Sequence, residues 1–138
     1  MDRDMEIMAK TIYGEARGEC VEKKATLASF APLIAIGNVI MNRSKESSTS
    51  IASVCLAPKQ FSCWNENDPN RKVIERVTLK DPIFTRCFIV GAKIICEELK
   101  DITYGANHYY SRYLKKPPYW AEGRTPVVKI GNHIFFKL

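Results

Sequence analysis

Between residues 5 and 19 apolar side chains recur at helical spacing, yet the stripe they form also carries two carboxylates. At about 100° per residue, Met5, Met8, Ile12 and Ala16 align, while Glu6, Lys10 and Arg17 project from the other side. On the same count Glu15 and Glu19 each fall about 20° from Met8, one on either side. A helix that must bury this face has to pair those carboxylates, keep them protonated, or open onto a cleft where they sit. Gly14 and Gly18 bracket Glu15 and weaken the helix there, which favours a helix end at a cleft. Burial against apolar groups disfavours the charged form, so Glu15 is expected to hold its proton nearer neutrality, as a general acid for glycoside cleavage must. The alternative is a structural glutamate, paired with an arginine or capping a helix.

The chain has 138 residues, enough for one hydrophobic core and too few for two, so residues 1–138 are expected to form a single domain. A 46% apolar and 26% charged composition is that of an ordinary globular protein. The formal charge of +6 favours polyanionic surroundings such as nucleic acid, acidic lipid or bacterial wall. The cations are scattered, with no block longer than Lys115-Lys116, and this argues against nucleic acid and against a polybasic lipid anchor. No stretch is long and apolar enough for an integral membrane segment, and the charged MDRDMEIMAK start lacks the apolar run of a secretory signal. Of the five cysteines, none forms a C-x-x-C pair; Cys87 and Cys96 read as core hydrophobes, and Cys55 and Cys63 could bridge in an oxidising compartment.

Pro32 suits the first turn of a helix running to about Arg43, and the polar runs Ser44 to Ser50 and Asn65 to Asn70 read as loops. Asp81-Pro82 is an N-cap followed by proline at the first helical position, opening a helix through Phe84, Phe88, Ile95 and Leu99, with Lys93 and Glu97 on its wet face. VVKI and HIFF flank Gly131-Asn132, a two-residue hairpin connection between β-prone strands. The resulting expectation is an α+β domain, mainly helical with a small C-terminal β-hairpin.

The segment from Gly105 to Tyr110 concentrates a histidine and two tyrosines, which can either pack a core or offer stacking planes to a sugar. His108 and His133 are the only histidines, and a zinc site would need both plus a carboxylate or Cys20; no H-E-x-x-H spacing supports a metal, and no cofactor is indicated.

Six segments in series carry a resemblance: AKTIYGEARGE (9–19), NVIMNR (38–43), QFSCW (60–64), GANHYY (105–110), PYWA (118–121) and IGNHIF (130–135). In that order they resemble the cell wall hydrolase family related to the spore-cortex-lytic enzymes, over nearly the whole chain. The resemblance implies a lysozyme-like fold close to lytic transglycosylases and a substrate of peptidoglycan glycan strands, cut between N-acetylmuramic acid and N-acetylglucosamine. It implies that Glu15 is the catalytic acid and base, and that Glu19, Gln60, Phe61, Ser62, Trp64, His108, Tyr109 and Tyr110 belong to the glycan cleft. It also implies action in the cell wall, periplasm or exterior, by an export route not visible in the sequence. The chain departs from the family pattern between Glu19 and Asn38, where it is longer by about two helical turns around Glu22 to Phe30. Whether the bond is cut as by a lytic transglycosylase, through the muramic C6 hydroxyl, or as by a muramidase, through water, stays open, and so do two other classes: a metal-dependent amidase using His108 and His133, and a glycan-binding module without catalysis.

Overall fold

A computed structural model describes residues 2–19 and 27–138; Cys20 and most of the Glu22 to Phe30 insertion lie outside them. Helix α1 spans Arg3–Ala16 and starts where Asp2 accepts the N–H groups of Asp4 and Met5. It continues into a 3-10 turn, Arg17–Glu19. Helices α2 (Leu27–Ser47), α3 (Ile51–Leu56), α4 (Pro69–Arg76) and α5 (Pro82–Ile95) follow, and α1 packs against all four. Met8 and Ile12 from α1, Leu33, Ile36 and Ile40 from α2, and Phe84, Cys87 and Val90 from α5 form the centre of the core. Met8, Ile12, Leu33 and Ile36 are wholly buried, each side chain contributing about 1.5–3 kcal/mol relative to exposure.

Helix α5 starts as its sequence dictates, with Asp81 accepting from the N–H groups of Ile83 and Phe84 and Pro82 at the first position. It stops at Ile95 because Glu97 turns to φ 58° and the N–H of Glu98 returns to the carbonyl of Lys93. Leu99 therefore lies beyond it, and Cys96 is exposed at the cap, not in the core. Cys55 and Cys63 are free, so the bridge they could have formed is not made. They meet α1 at different places, Cys55 beside Thr11 and Cys63 against Gly14.

Helix α2 differs from expectation at both ends. Pro32 lies inside it, and its ring reaches toward the Gly131 turn. At the other end Ser44 to Ser47 are helical, and the hydroxyls are accommodated there: Ser47 bonds back to the carbonyl of Arg43 at 2.8 Å, and Ser44 bonds forward to that of Thr49 at 2.6 Å. Helix α4 likewise takes in Pro69 and Asn70, with Asp68 as its cap.

The Gly131-Asn132 hairpin forms between β2 (Val128–Ile130) and β3 (His133–Phe136), and a third strand, β1 (His108–Ser111), joins β3 on its other side. All pairing is antiparallel, with Tyr110 opposite Ile134 and Ile134 opposite Lys129. Alternation gives the sheet two unlike faces. Tyr109, His133 and Phe135 face the helices, while His108, Tyr110 and Phe136 gather under Trp120 on the outer face. The expected α+β class is the one observed, with a three-stranded sheet in place of a lone hairpin.

Candidate active site

A cleft of about 630 Å³ runs between the end of α1, the Gln60 to Asn65 loop and the inner edge of the sheet. Glu15 enters it from the last turn of α1, half-buried. Its Oε1 accepts the Tyr109 hydroxyl at 2.5 Å, its Oε2 meets Ser62 Oγ at 3.4 Å, and the Cys63 thiol also lies within hydrogen-bonding reach of the carboxylate. One carboxylate oxygen is thus fixed and the other is left toward the cleft. Burial, reinforced by the charge of Glu15 and its hydrogen bond, pushes the Tyr109 phenol well above its ordinary value of 10.0, so it stays protonated and acts as donor.

Gly14 lets the loop come this close. A Cβ there would stand 2.6 Å from Cys63 Cβ and 2.8 Å from its Sγ, so only glycine lets the Ser62–Trp64 turn sit against α1 and bring Ser62 to Glu15. Beneath the cleft, buried Phe61 tilts against Tyr109 with centroids 6.5 Å apart and carries the Arg43 guanidinium 5.1 Å above its other side. Arg43 donates to the carbonyl of Asn107 at 2.7 Å and to Gln60 Oε1 at 3.2 Å, tying α2 to the strand that presents Tyr109.

Glu19 is differently employed. It is almost enclosed, accepts the backbone N–H of Asn132, and stands 3.2 Å from His133 Nδ1. Its Oε2 has no aligned hydrogen bond among the described residues. Gly131 (φ 57°) is required at this turn both by its backbone angle and by the closeness of the Glu19 carboxylate. Glu19 therefore clamps the hairpin to the end of α1.

Glu15, Glu19, Gln60, Ser62, Tyr109 and Tyr110 all line the cleft. Three other residues named from the sequence do not. Phe61 lies under the floor, and Trp64 turns its indole N–H to buried Thr11 at 2.8 Å. His108 faces outward, its ring 5.0 Å from Trp120. The cleft also gains Arg43, Asn70, Tyr113, Leu114, Asn132 and His133. Arg43 stood in a quoted motif without a role and His133 was considered only as a metal ligand, whereas Tyr113 and Leu114 gave no signal beyond being apolar in a basic loop. His108 and His133 point from opposite faces of the sheet and cannot share a metal. Among the described residues no group of three or more His, Cys, Asp or Glu side chains is placed to hold one.

Helices around α1, with a small sheet closing one side of a polar cleft that holds Glu15 and Glu19, define a helix-dominated α+β domain. Residues 29–136 match the sequence model of the cell wall hydrolase family, and the chain belongs to that family of wall-degrading enzymes. The match begins beyond α1, within the stretch where the chain is longer than the family pattern. Two solved structures share the fold at 24% identity. One is the catalytic domain of the Bacillus cereus SleB protein, with a TM-score of 0.68 over 97% of this chain and 89% of that one. The other is the catalytic domain of the germination-specific lytic transglycosylase SleB from Bacillus anthracis, with a TM-score of 0.70 over 99% and 96%. No curated protein matches the chain.

Proposed function

We propose that the chain is a lytic transglycosylase that cuts peptidoglycan strands between N-acetylmuramic acid and N-acetylglucosamine, with Glu15 as acid and then base. The observation that carries this reading is the unequal fate of the two cleft glutamates: Glu19 is committed to the hairpin, and Glu15 alone keeps an oxygen toward the open space. Glycosidases that retain or invert configuration need two working carboxylates, roughly 5–9.5 Å apart. A transglycosylase needs one. Glu15 gives its proton to the glycosidic oxygen as the bond from that oxygen to C1 of muramic acid breaks. The resulting carboxylate then takes the proton of the C6 hydroxyl while O6 bonds to C1, which leaves a 1,6-anhydro end and restores the acid.

Tyr109 holds the carboxyl group in place throughout, and the polar lining from Gln60, Ser62 and Asn132 suits the amide and hydroxyl groups of amino sugars. The similarity of fold to the Bacillus anthracis lytic transglycosylase supports the same reading. A substrate of this kind lies outside the membrane, so the enzyme works in the wall, the periplasm or the exterior; no described helix is long and apolar enough to span a bilayer.

The deciding experiment is mass spectrometry of muropeptides released from purified peptidoglycan by the wild-type chain and by Glu15→Gln, with and without chelator. Anhydro-muramic ends that vanish in the variant and ignore chelator are the expected result. Reducing muramic ends would mean hydrolysis of the same bond by water, and free stem peptides would mean an amidase.

A further inference from the structure

A second cavity, of about 360 Å³, opens on the outer face of the sheet. Its floor is the cross-strand row Tyr110, Ile134 and Lys129, and its wall is the long β1–β2 connection, which brings Lys116 and Arg124. Tyr110 lines both this cavity and the catalytic cleft, so the one begins where the other ends. Stacking on Phe136 (5.7 Å, 20° between planes) and edge contact with Trp120 hold the Tyr110 ring on the outer face.

Charge separates this cavity from its neighbours. The catalytic cleft sets Arg43 and Lys59 against Glu15 and Glu19. The cavity adjoining it at Arg43 and Gln60 sets Arg43 against Glu46. In the outer cavity Lys116, Arg124 and Lys129 face a single carboxylate, Glu122, and none of the three cations forms an ion pair with a described residue. A neutral sugar chain has no use for that surplus. A peptide branch bearing free carboxylates, such as hangs from the lactyl group of muramic acid, does.

We propose that this basic cavity receives the acidic peptide branch of the strand whose glycan lies in the cleft, so that the enzyme distinguishes peptide-bearing from bare glycan. The proposal rests on the cleft's being a peptidoglycan site.

The test is a titration of the Glu15→Gln chain, in which cleavage does not intervene, with a soluble muramic disaccharide carrying its acidic peptide and with the same disaccharide whose lactyl carboxyl is capped as a simple amide. A second protein adds Lys116→Gln, Arg124→Gln and Lys129→Gln, all exposed positions that leave the core untouched. Three exposed ion pairs are lost together, so the combined substitution is expected to weaken the peptide-bearing ligand about tenfold and to leave the bare one unchanged. Equal affinity of the parent for both ligands would overturn the proposal. Equal losses on both ligands would do so too, since the cations would then attract the wall in general. Retained cleavage by Glu15→Gln would count against the catalytic reading alone, and failure of both ligands to bind would remove the cleft assignment and the proposal with it.

Discussion

The Tyr109 hydroxyl donates to Glu15 Oε1 at 2.5 Å across 94 positions of chain. The contact joins the first helix to the first strand and settles which carboxylate oxygen is available. Tyr109→Phe keeps the ring among Phe61, His133 and Phe135 but removes the donor. A hydrogen bond to a charged group contributes about 1.5–3 kcal/mol, so kcat should fall about 10- to 100-fold with KM nearly unchanged. Rates of anhydro-muropeptide release measure this, and an undiminished kcat would reduce Tyr109 to a packing residue.

Two glycines one turn apart should respond oppositely to alanine. At Gly14 the new methyl would collide with Cys63, so Gly14→Ala is expected to cost about 1–3 kcal/mol and to displace Ser62 from Glu15. At Gly18 nothing lies within 4 Å, and Gly18→Ala should be neutral or stabilise by up to about 1 kcal/mol. Thermal unfolding of the two variants side by side decides it.

Glu19→Ala leaves the Asn132 N–H without its acceptor and removes the charge beside His133. An enclosed polar group left unpaired costs about 1–3 kcal/mol, and the freed hairpin should also lower kcat. Glu19→Gln, which can still accept from Asn132, should recover much of the stability. If both variants unfold like wild type in denaturant, the clamp is not what holds the hairpin.

Stability should have an acid limb and a far-alkaline limb. Burial raises the proton affinity of Asp101, but the hydroxyl and N–H of Thr103, the Asn42 amide and the N–H of Gly105 outweigh it, and its carboxyl lies below the ordinary 3.8. Asp81 is lowered in the same manner: burial opposes, while the Tyr13 hydroxyl and the N–H groups of Ile83 and Phe84 prevail. A depressed folded value means stability present above about 3.8 and lost as the pH falls through the folded value. Tyr109 has the opposite sign: its raised value adds stability that is complete below 10.0 and lost as the pH climbs above it. Denaturant midpoints across the acid range should drop for wild type and less steeply for Asp101→Asn.

Of the described cysteines only Cys96 should react with a thiol reagent in the native state. Burial pushes the Cys55 thiol up to about 12 and Cys63 higher still, so neither is a thiolate at neutral pH, whereas Cys96 is exposed. Peptide mapping after brief alkylation would contradict this if Cys55 or Cys63 carried label before Cys96.

Features set by a few neighbouring residues were legible in the sequence. Asp81-Pro82 carries the start of α5 by itself, and Gly131-Asn132 carries the hairpin, because a cap and a tight turn are local chemistry. The helix through Ser44 to Ser47 was not, since its composition is that of a loop and the carbonyl bonds that accommodate its hydroxyls are made only in the folded chain. Strand β1 exists through its pairing with β3 some twenty-five residues on, which no local pattern encodes. In the site, helical phase placed Glu15 and Glu19 on one face, but their division of labour depends on Tyr109 and Asn132, which reach α1 only in three dimensions.

That dependence gives the centre an order of assembly. The helix bearing Glu15 emerges from a ribosome early and can pack on α2 and α5, but Tyr109 has no fixed place until β3 is made, and β3 runs to Phe136. A nascent chain that ends before β3 carries Glu15 without the hydroxyl that holds it in place. If the proposed activity depends on that donor, it arises only after residue 136 has joined the sheet and is absent from every shorter fragment during synthesis.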